Sequence, residues 1–303
     1  MYLEENWQLA PRHTLTAGLR QERLQRSGLV QYQQDSSNPA LAYRYQPTPA
    51  WSWQLGYNEA SKAPRSDDLV PTVSVSPSSD AGSLNNPDIG GNPQLRPERI
   101  HALESTLGYN TADGGFNLTG FVRQIDDYIE KTVQLEQGRY VQRPANQSRA
   151  HTRGLELSAR YALRQEGGHS WLLNGQLTTI RAEIDRPGGT RLASDVAPYS
   201  ASLGLSYQYQ PKRLSLSVNA GYTPAYTRPL DDQPYLRHVN ARPSLDASLT
   251  QRFNDGWALT LSGRNLLAPD RQTWLEDRST GLLVQSQRSD SVANWLLTVE
   301  KRF

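Results

Sequence analysis

Apolar and polar positions alternate along most of the chain. From Ala201 the apolar positions are Ala201, Leu203, Leu205, Tyr207 and Tyr209, with Ser202, Gly204, Ser206 and Gln208 between them. After Pro211 and Lys212 the alternation resumes as Leu214, Leu216, Val218, Ala220 and Tyr222, interleaved with Ser215, Ser217, Asn219 and Gly221. Successive side chains of a strand point to opposite faces, so each run carries one apolar and one polar face. A helix would scatter the same residues around its circumference. The pattern recurs at Trp51, Trp53, Leu55 and Tyr57, at Leu155, Leu157, Ala159 and Tyr161, and at Leu245, Ala247 and Leu249. It recurs again at Trp257, Leu259 and Leu261, after the turn Asn254-Asp255-Gly256. About 13 strands are predicted in all, the first from Tyr2 to Ala10 with Glu5 on the face of Leu3, Trp7 and Leu9.

The connections alternate in length as well. Short ones are predicted at residues 11–12, 46–50, 111–115, 165–169, 211–212 and 254–256. Long ones are predicted at 26–39, 61–99, 129–153, 182–199, 224–242 and 268–291. Short turns at one end and long loops at the other are how an antiparallel transmembrane β-barrel meets its two aqueous compartments. Aromatics near strand ends, among them Trp51, Tyr57, Tyr109, Tyr161, Trp171, Tyr209, Tyr222 and Trp257, would supply the interfacial girdles of such a barrel.

Composition sharpens this reading. Only 36% of residues are hydrophobic, fewer than a soluble globular domain usually carries. Disorder would explain that deficit, but 15 Tyr and 7 Trp argue against it. A barrel with a watery lumen and a thin apolar band outside accommodates both facts. Net charge is +2, which gives no reason to expect a nucleic-acid partner. No cysteine is present, so disulfides and thiolate metal sites are excluded. No apolar stretch is long enough for a transmembrane helix. Met1 to Asn6 does not read as a signal peptide, so an exported form would need a signal upstream of Met1 or an origin in a longer chain.

Several segments, in order, resemble the barrel of TonB-dependent receptors of the siderophore-receptor type. Ser61-Lys62-Ala63-Pro64-Arg65-Ser66-Asp67-Asp68-Leu69 is similar to the segment that opens a long loop there. Gly91-Asn92-Pro93-Gln94-Leu95-Arg96-Pro97-Glu98 is close to the family's "GNPxLxPE", and Glu104 to Tyr109 resembles the strand that follows. Gly120-Phe121 through Ile125-Asp126-Asp127-Tyr128-Ile129, Asn146 to Ala150 with Gly154-Leu155-Glu156-Leu157, and Arg264-Asn265-Leu266-Leu267 continue the series. The chain closes on Val299-Glu300-Lys301-Arg302-Phe303. Together these segments cover most of residues 10–303. The plug domain, the TonB box and the early barrel strands have no counterpart here, and Arg271-Gln272-Thr273-Trp274 departs from the family's pattern after the "NLfd" segment. In Asn92-Pro93 and Arg96-Pro97 each proline forces extended geometry on its predecessor, so these motifs are expected to aim the chain into a strand rather than touch a ligand.

The resemblance implies that residues 1–303 are the C-terminal portion of what would be a 22-stranded barrel, in the cell outer membrane of a Gram-negative bacterium. It implies TonB-dependent uptake of a ferric siderophore or similar scarce nutrient, with the TonB complex acting through a plug this chain lacks. A fragment of this kind is not expected to transport alone. Vitamin B12, haem or a copper chelate are alternative ligands, and a complete small passive outer-membrane pore is an alternative function. Cationic and aromatic loop residues suit anionic, aromatic chelates. Arg181, Tyr226, Arg228, Tyr235, Arg271 and Trp274 are the candidate ligand contacts. The last strand, through Trp295, Leu297, Val299 and Phe303, would be the address read by the barrel-assembly machinery. No enzyme motif is present: the five histidines lie far apart in sequence, and the pairs Asp126-Asp127 and Asp231-Asp232 read as ordinary solvated carboxylates. No catalytic residue, cofactor or metal is expected.

Overall fold

The computed structural model describes every residue except Ser76, 147–148, 187–188, 194–195, 231–233 and Phe303. Asp231, Asp232 and Phe303, singled out above, therefore lie outside the described residues. The chain is all-β. Thirteen strands follow one another in a single antiparallel sheet, each paired with its sequence neighbours in the wall. They are β1 (Tyr2–Ala10), β2 (His13–Arg26), β3 (Tyr32–Tyr45), β4 (Trp51–Lys62), β5 (Glu98–Asn110), β6 (Gly114–Asp126) and β7 (Arg149–Gln165). Then come β8 (His169–Arg186), β9 (Tyr199–Tyr209), β10 (Leu214–Thr223), β11 (Arg242–Arg252), β12 (Trp257–Arg264) and β13 (Asn294–Lys301). A short strand, Gly189–Leu192, folds back on the end of β8.

The register keeps one face apolar across the whole sheet. Leu173 stands opposite Leu205, Leu205 opposite Val218, Val218 opposite Ala247, and Leu249 opposite Leu261, which faces Leu297. A slip of one residue anywhere would turn a strand inside out. Much of this face is exposed: Leu203 is 62% accessible and Leu155 54%. Many exposed leucines aligned on one face make no sense in water and are the expected face toward lipid. The other face carries Ser206 against Ser217, Ser217 against Ser248, and the hydroxyl pairs Thr106–Thr119 at 2.9 Å and Thr250–Thr260 at 3.0 Å.

Aromatic rings gather on the apolar face at the short-turn end. Trp51 packs on Tyr109 with ring centroids 4.7 Å apart, and Tyr109 contacts Phe116. His169 stacks on Tyr209 at 4.4 Å, Trp171 packs on Tyr207 at 4.2 Å, and His13 stacks on Tyr45 at 4.8 Å. Lys301 lies over the Trp257 ring at 4.9 Å. The second ring of aromatics, Tyr57, Tyr199 and Tyr222, stands on the same face nearer the long loops.

Two readings from sequence need correction. The connection predicted at 26–39 is only residues 27–31, because β2 and β3 stay paired residue by residue up to Arg26 opposite Tyr32. Gln33 to Asn38 lack apolar alternation, yet ladder hydrogen bonds need no apolar side chains once the strand has left the membrane. Arg23 and Asp35 pair there at 2.7 Å. Four of the other long connections, at 61–99, 129–153, 224–242 and 268–291, carry strands that build two four-stranded sheets, and the strand in 182–199 pairs with β8. The few buried apolar residues, among them Leu69, Leu95, Ala102, Phe121, Val141, Ala150 and Ile184, lie at the junction of wall and loops. Among the described residues the buried apolar positions of the wall itself, Ala102, Phe121, Ala150 and Ile184, are thus those nearest the long loops.

Candidate functional site

The first loop sheet runs in the order Val73–Ser74, Asp88–Gly90, Arg139–Asn146, Ile129–Glu136. The family-like segments converge on it. Gly91 donates its backbone N–H to Val70 at 3.0 Å and Asn92 to Asp68 at 2.6 Å, closing the loop onto the Ser66–Leu69 helical turn. Asn146 accepts from the Arg96 N–H at 2.9 Å and donates to the Asp127 carbonyl at 2.6 Å. Glu98, 2% exposed, accepts from Lys62 at 2.7 Å and from the Ile129 N–H at 2.9 Å. These motifs hold structure, as the prolines suggested. A Cβ on Gly91 would lie 2.2 Å from the Val70 carbonyl. Gly91→Ala is therefore expected to cost about 1–3 kcal/mol, read as earlier proteolytic cleavage of the 63–97 loop.

Charged pairs lock the same sheet. Arg139 grips buried Asp88 through Nε at 2.5 Å and Nη2 at 2.9 Å, and holds its carboxyl below the usual range. Arg143 makes the same two-pronged grip on Glu136, at 2.7 and 3.0 Å, and donates to the Gly91 carbonyl at 2.6 Å. Glu130, 5% exposed, is bonded by Arg186 of the wall at 2.9 Å and by Arg191. The lengths of these side chains, and not their sequence spacing, bring them together, so no local motif announced them.

The second loop sheet runs Tyr226–Pro229, Tyr235–Val239, Arg271–Asp277, Leu283–Ser289. It carries all but one of the candidate ligand residues. Tyr226, Arg228, Tyr235 and Arg271 share one face. Arg228 lies over the Tyr226 ring at 5.5 Å and stands directly opposite Arg237, a cation missed in the sequence. The buried Tyr235 hydroxyl donates to Asn85 at 2.8 Å. Asn85 lies between β4 and β5 and Tyr235 between β10 and β11, so this bond ties together loops far apart in the strand order. Trp274 is on the other face, stacked on His238 at 4.9 Å and 4°. His238 also contacts Thr227 at 2.8 Å and Glu276 at 3.1 Å. A hollow beside Arg237, of about 250 Å³, is lined by Thr273, Leu275, Gln285 and Gln287. Tyr235-Leu236-Arg237-His238-Val239 does not alternate apolar with polar, so no local signal marked Arg237 or His238. Arg181 is not brought to this group: it stands on wall strand β8, on the face of Leu177, paired with Glu183 at 2.6 Å.

Asp277 closes the turn that follows the third strand of this sheet. Its carboxylate accepts from the Ser279 N–H at 2.9 Å, the Ser279 hydroxyl at 2.6 Å and the Thr280 N–H at 3.0 Å, which lowers its pKa to about 2 from 3.8. A carboxyl with a depressed folded pKa stabilises above its ordinary value and loses that contribution as pH falls toward the folded one. Amide exchange at Ser279 and Thr280 is therefore expected to accelerate as pH drops from 3.8 to about 2, after correction for intrinsic rates. Asp277→Ala should erase that pH dependence. Among the described residues no group of His, Asp and Glu is arranged to hold a metal ion.

A sheet with one apolar and one polar face, aromatics at the apolar face's edges, tight turns at one end and folded loops at the other is the wall of a membrane β-barrel. The chain matches the family described as TonB dependent receptor-like, beta-barrel, over residues 1–266, and it belongs to that family. No curated protein matches it. Among solved structures, the copper transporter OprC is similar over 100% of this chain and 47% of its own, with a TM-score of 0.71 and 16% identity. The ferric enterobactin receptor PfeA of Pseudomonas aeruginosa is similar over 89% of this chain and 40% of its own, with a TM-score of 0.65 and 18% identity. The FrpB iron transporter of Neisseria meningitidis is similar over 98% and 44%, with a TM-score of 0.65 and 19% identity. The chain thus spans less than half the length of these receptors, and the likeness is one of fold. The family is one of transporters and not of enzymes.

Proposed function

We propose that this chain is the C-terminal part of the barrel of an outer-membrane receptor for TonB-dependent uptake of a ferric siderophore or similar anionic chelate. The second loop sheet carries the reading. It sets Arg228 opposite Arg237 on one face, with Tyr226, Tyr235 and Arg271 beside them. Guanidiniums suit an anionic ligand, and the tyrosines offer flat surfaces to an aromatic chelate. Trp274 and His238 would form a second contact on the reverse face. Among the described residues β1 and β13 end the strand order, and further strands of a longer barrel would continue it, with a plug that engages the TonB complex. Trp295, Leu297 and Val299, which would belong to the assembly signal, share one face of β13.

The test is equilibrium binding of ferric catecholate, ferric hydroxamate, haem, cobalamin and copper chelates to outer membranes that contain the protein. One chelate is expected to bind, and Arg228→Ala with Arg237→Ala to weaken it about 10- to 100-fold, the size of one charge-assisted hydrogen bond. Equal binding by wild type and the double variant would sink the assignment of this face.

A further inference from the structure

On the reverse face of the second loop sheet, the His238 ring is engaged on three sides. Nδ1 lies 2.8 Å from the Thr227 hydroxyl, on the strand before it. Nε2 lies 3.1 Å from the Glu276 carboxylate, on the strand after it. The ring plane stacks on the Trp274 indole, with centroids 4.9 Å apart and planes 4° from parallel. Thr227 and Trp274 stand directly opposite His238 on the two ladders, and Glu276 is the diagonal neighbour. The His238 side chain is 19% exposed, and its Nε2 is shut off from solvent without a hydrogen bond.

Each neighbour suits the charged ring better than the neutral one. A neutral imidazole has one N–H and one bare lone pair. With its proton on Nδ1, the lone pair of Nε2 faces a carboxylate. With its proton on Nε2, the N–H meets that carboxylate at an angle that makes no hydrogen bond. The imidazolium donates from Nδ1 to a hydroxyl that rotates to accept, sets a positive charge against Glu276, and lays it over an indole face. Among the described residues of this sheet, the other charged side chain on the same face is Arg288, which is bonded by Asp270 and lies 3.1 Å from Asp290. Arg228, Arg237, Arg271 and Asp277 belong to the opposite face.

We infer that His238 is a proton-operated clamp, which fastens the Tyr226–Pro229, Tyr235–Val239 and Arg271–Asp277 strands together when charged and loosens them when neutral. Histidine changes charge between about pH 5 and 8, a range in which carboxylates stay charged. The ion pair with Glu276 is therefore present on the acid side of that window and is lost as pH rises through it. Arg237 is next in the chain and faces the other way, so the strand that the clamp holds is the one that presents Arg237. What that does for a ligand rests on the function proposed above; the clamp itself does not.

The test is amide hydrogen exchange read by mass spectrometry, on the protein extracted in mild detergent from membranes of producing cells. Exchange is followed at about pH 5 and about pH 8 and corrected for intrinsic rates. Wild type is expected to exchange residues 235–239 and 271–277 about two- to five-fold more slowly at the acid pH, the size of one partly exposed ion pair. His238→Gln cannot take up the proton and should exchange equally at both. Glu276→Gln keeps the ring, removes the carboxylate, and should lose most of the difference, so either variant decides the matter if the other fails to fold. His101→Gln, on wall strand β5, should keep the full difference. Equal exchange in wild type, an undiminished difference in His238→Gln or Glu276→Gln, or its loss in His101→Gln would overturn the clamp. No ligand enters this measurement, so its outcome is independent of the chelate assignment.

Discussion

Leu205→Arg is expected to prevent accumulation of the protein in the membrane, while Ser206→Arg, one residue on, is expected to be tolerated. Leu205 lies mid-strand on β9, between Leu173 and Val218 on the apolar face. A guanidinium there would face the hydrocarbon at mid-depth, at about 2–4 kcal/mol. Marginal stability magnifies that cost, since each 1.4 kcal/mol is about tenfold in the folded population. Ser206 lies between Leu172 and Ser217 on the opposite face. A cation there meets lumen water and polar neighbours. The measurement is the amount of each variant in washed outer membranes. Equal loss of both, or tolerance of Leu205→Arg, would mean that the apolar face does not meet lipid.

The second large effect is expected at Glu130. This carboxylate is almost fully buried and shared by Arg186, from the wall, and Arg191, from the strand folded against it. Removing one partner of a buried ionic cluster typically costs about 3–5 kcal/mol. Because Glu130 belongs to the first loop sheet, the damage should be local. Glu130→Gln is expected to release residues 127–146 to proteases at the cell surface while the wall stays folded. Asp35→Asn removes an exposed partner of Arg23 and should leave the cleavage pattern unchanged, since surface pairs contribute little. Protease resistance of the Glu130→Gln loop equal to wild type would show that the cluster is not what fastens this sheet.

The sequence revealed the wall and concealed the loops for one physical reason. Lipid on one side and water on the other impose strict alternation, so Ala201 to Tyr222 could be read as two strands, with the facing side chains assigned correctly. Even the first strand, with Glu5 on its apolar face, is paired as expected. Above the membrane both faces of a strand meet water or other loops, and the alternation fades. Leu283–Ser289 is exposed along its whole length, and nothing in its composition marks it as a strand. Tyr32 to Asn38 was lost to a loop for the same reason. Arg181 was grouped with loop residues because the apolar run on β8 ends at Leu177, while the ladder continues to Arg186. Five of the candidate ligand residues do share one loop sheet, but Arg237 and Arg139 depend on cross-strand geometry that spacing alone does not reveal.

The central claim is a barrel wall whose long loops lie outside the cell and whose turns lie inside the outer membrane. The chain has no cysteine, so single introduced thiols report position without background. The measurement is labelling of Arg228→Cys and Asp255→Cys on intact cells with a maleimide too polar to cross the outer membrane. The account predicts that Arg228→Cys reacts on intact cells and that Asp255→Cys reacts only after the outer membrane is opened. Labelling of Asp255→Cys on intact cells, with Arg228→Cys protected, would contradict it.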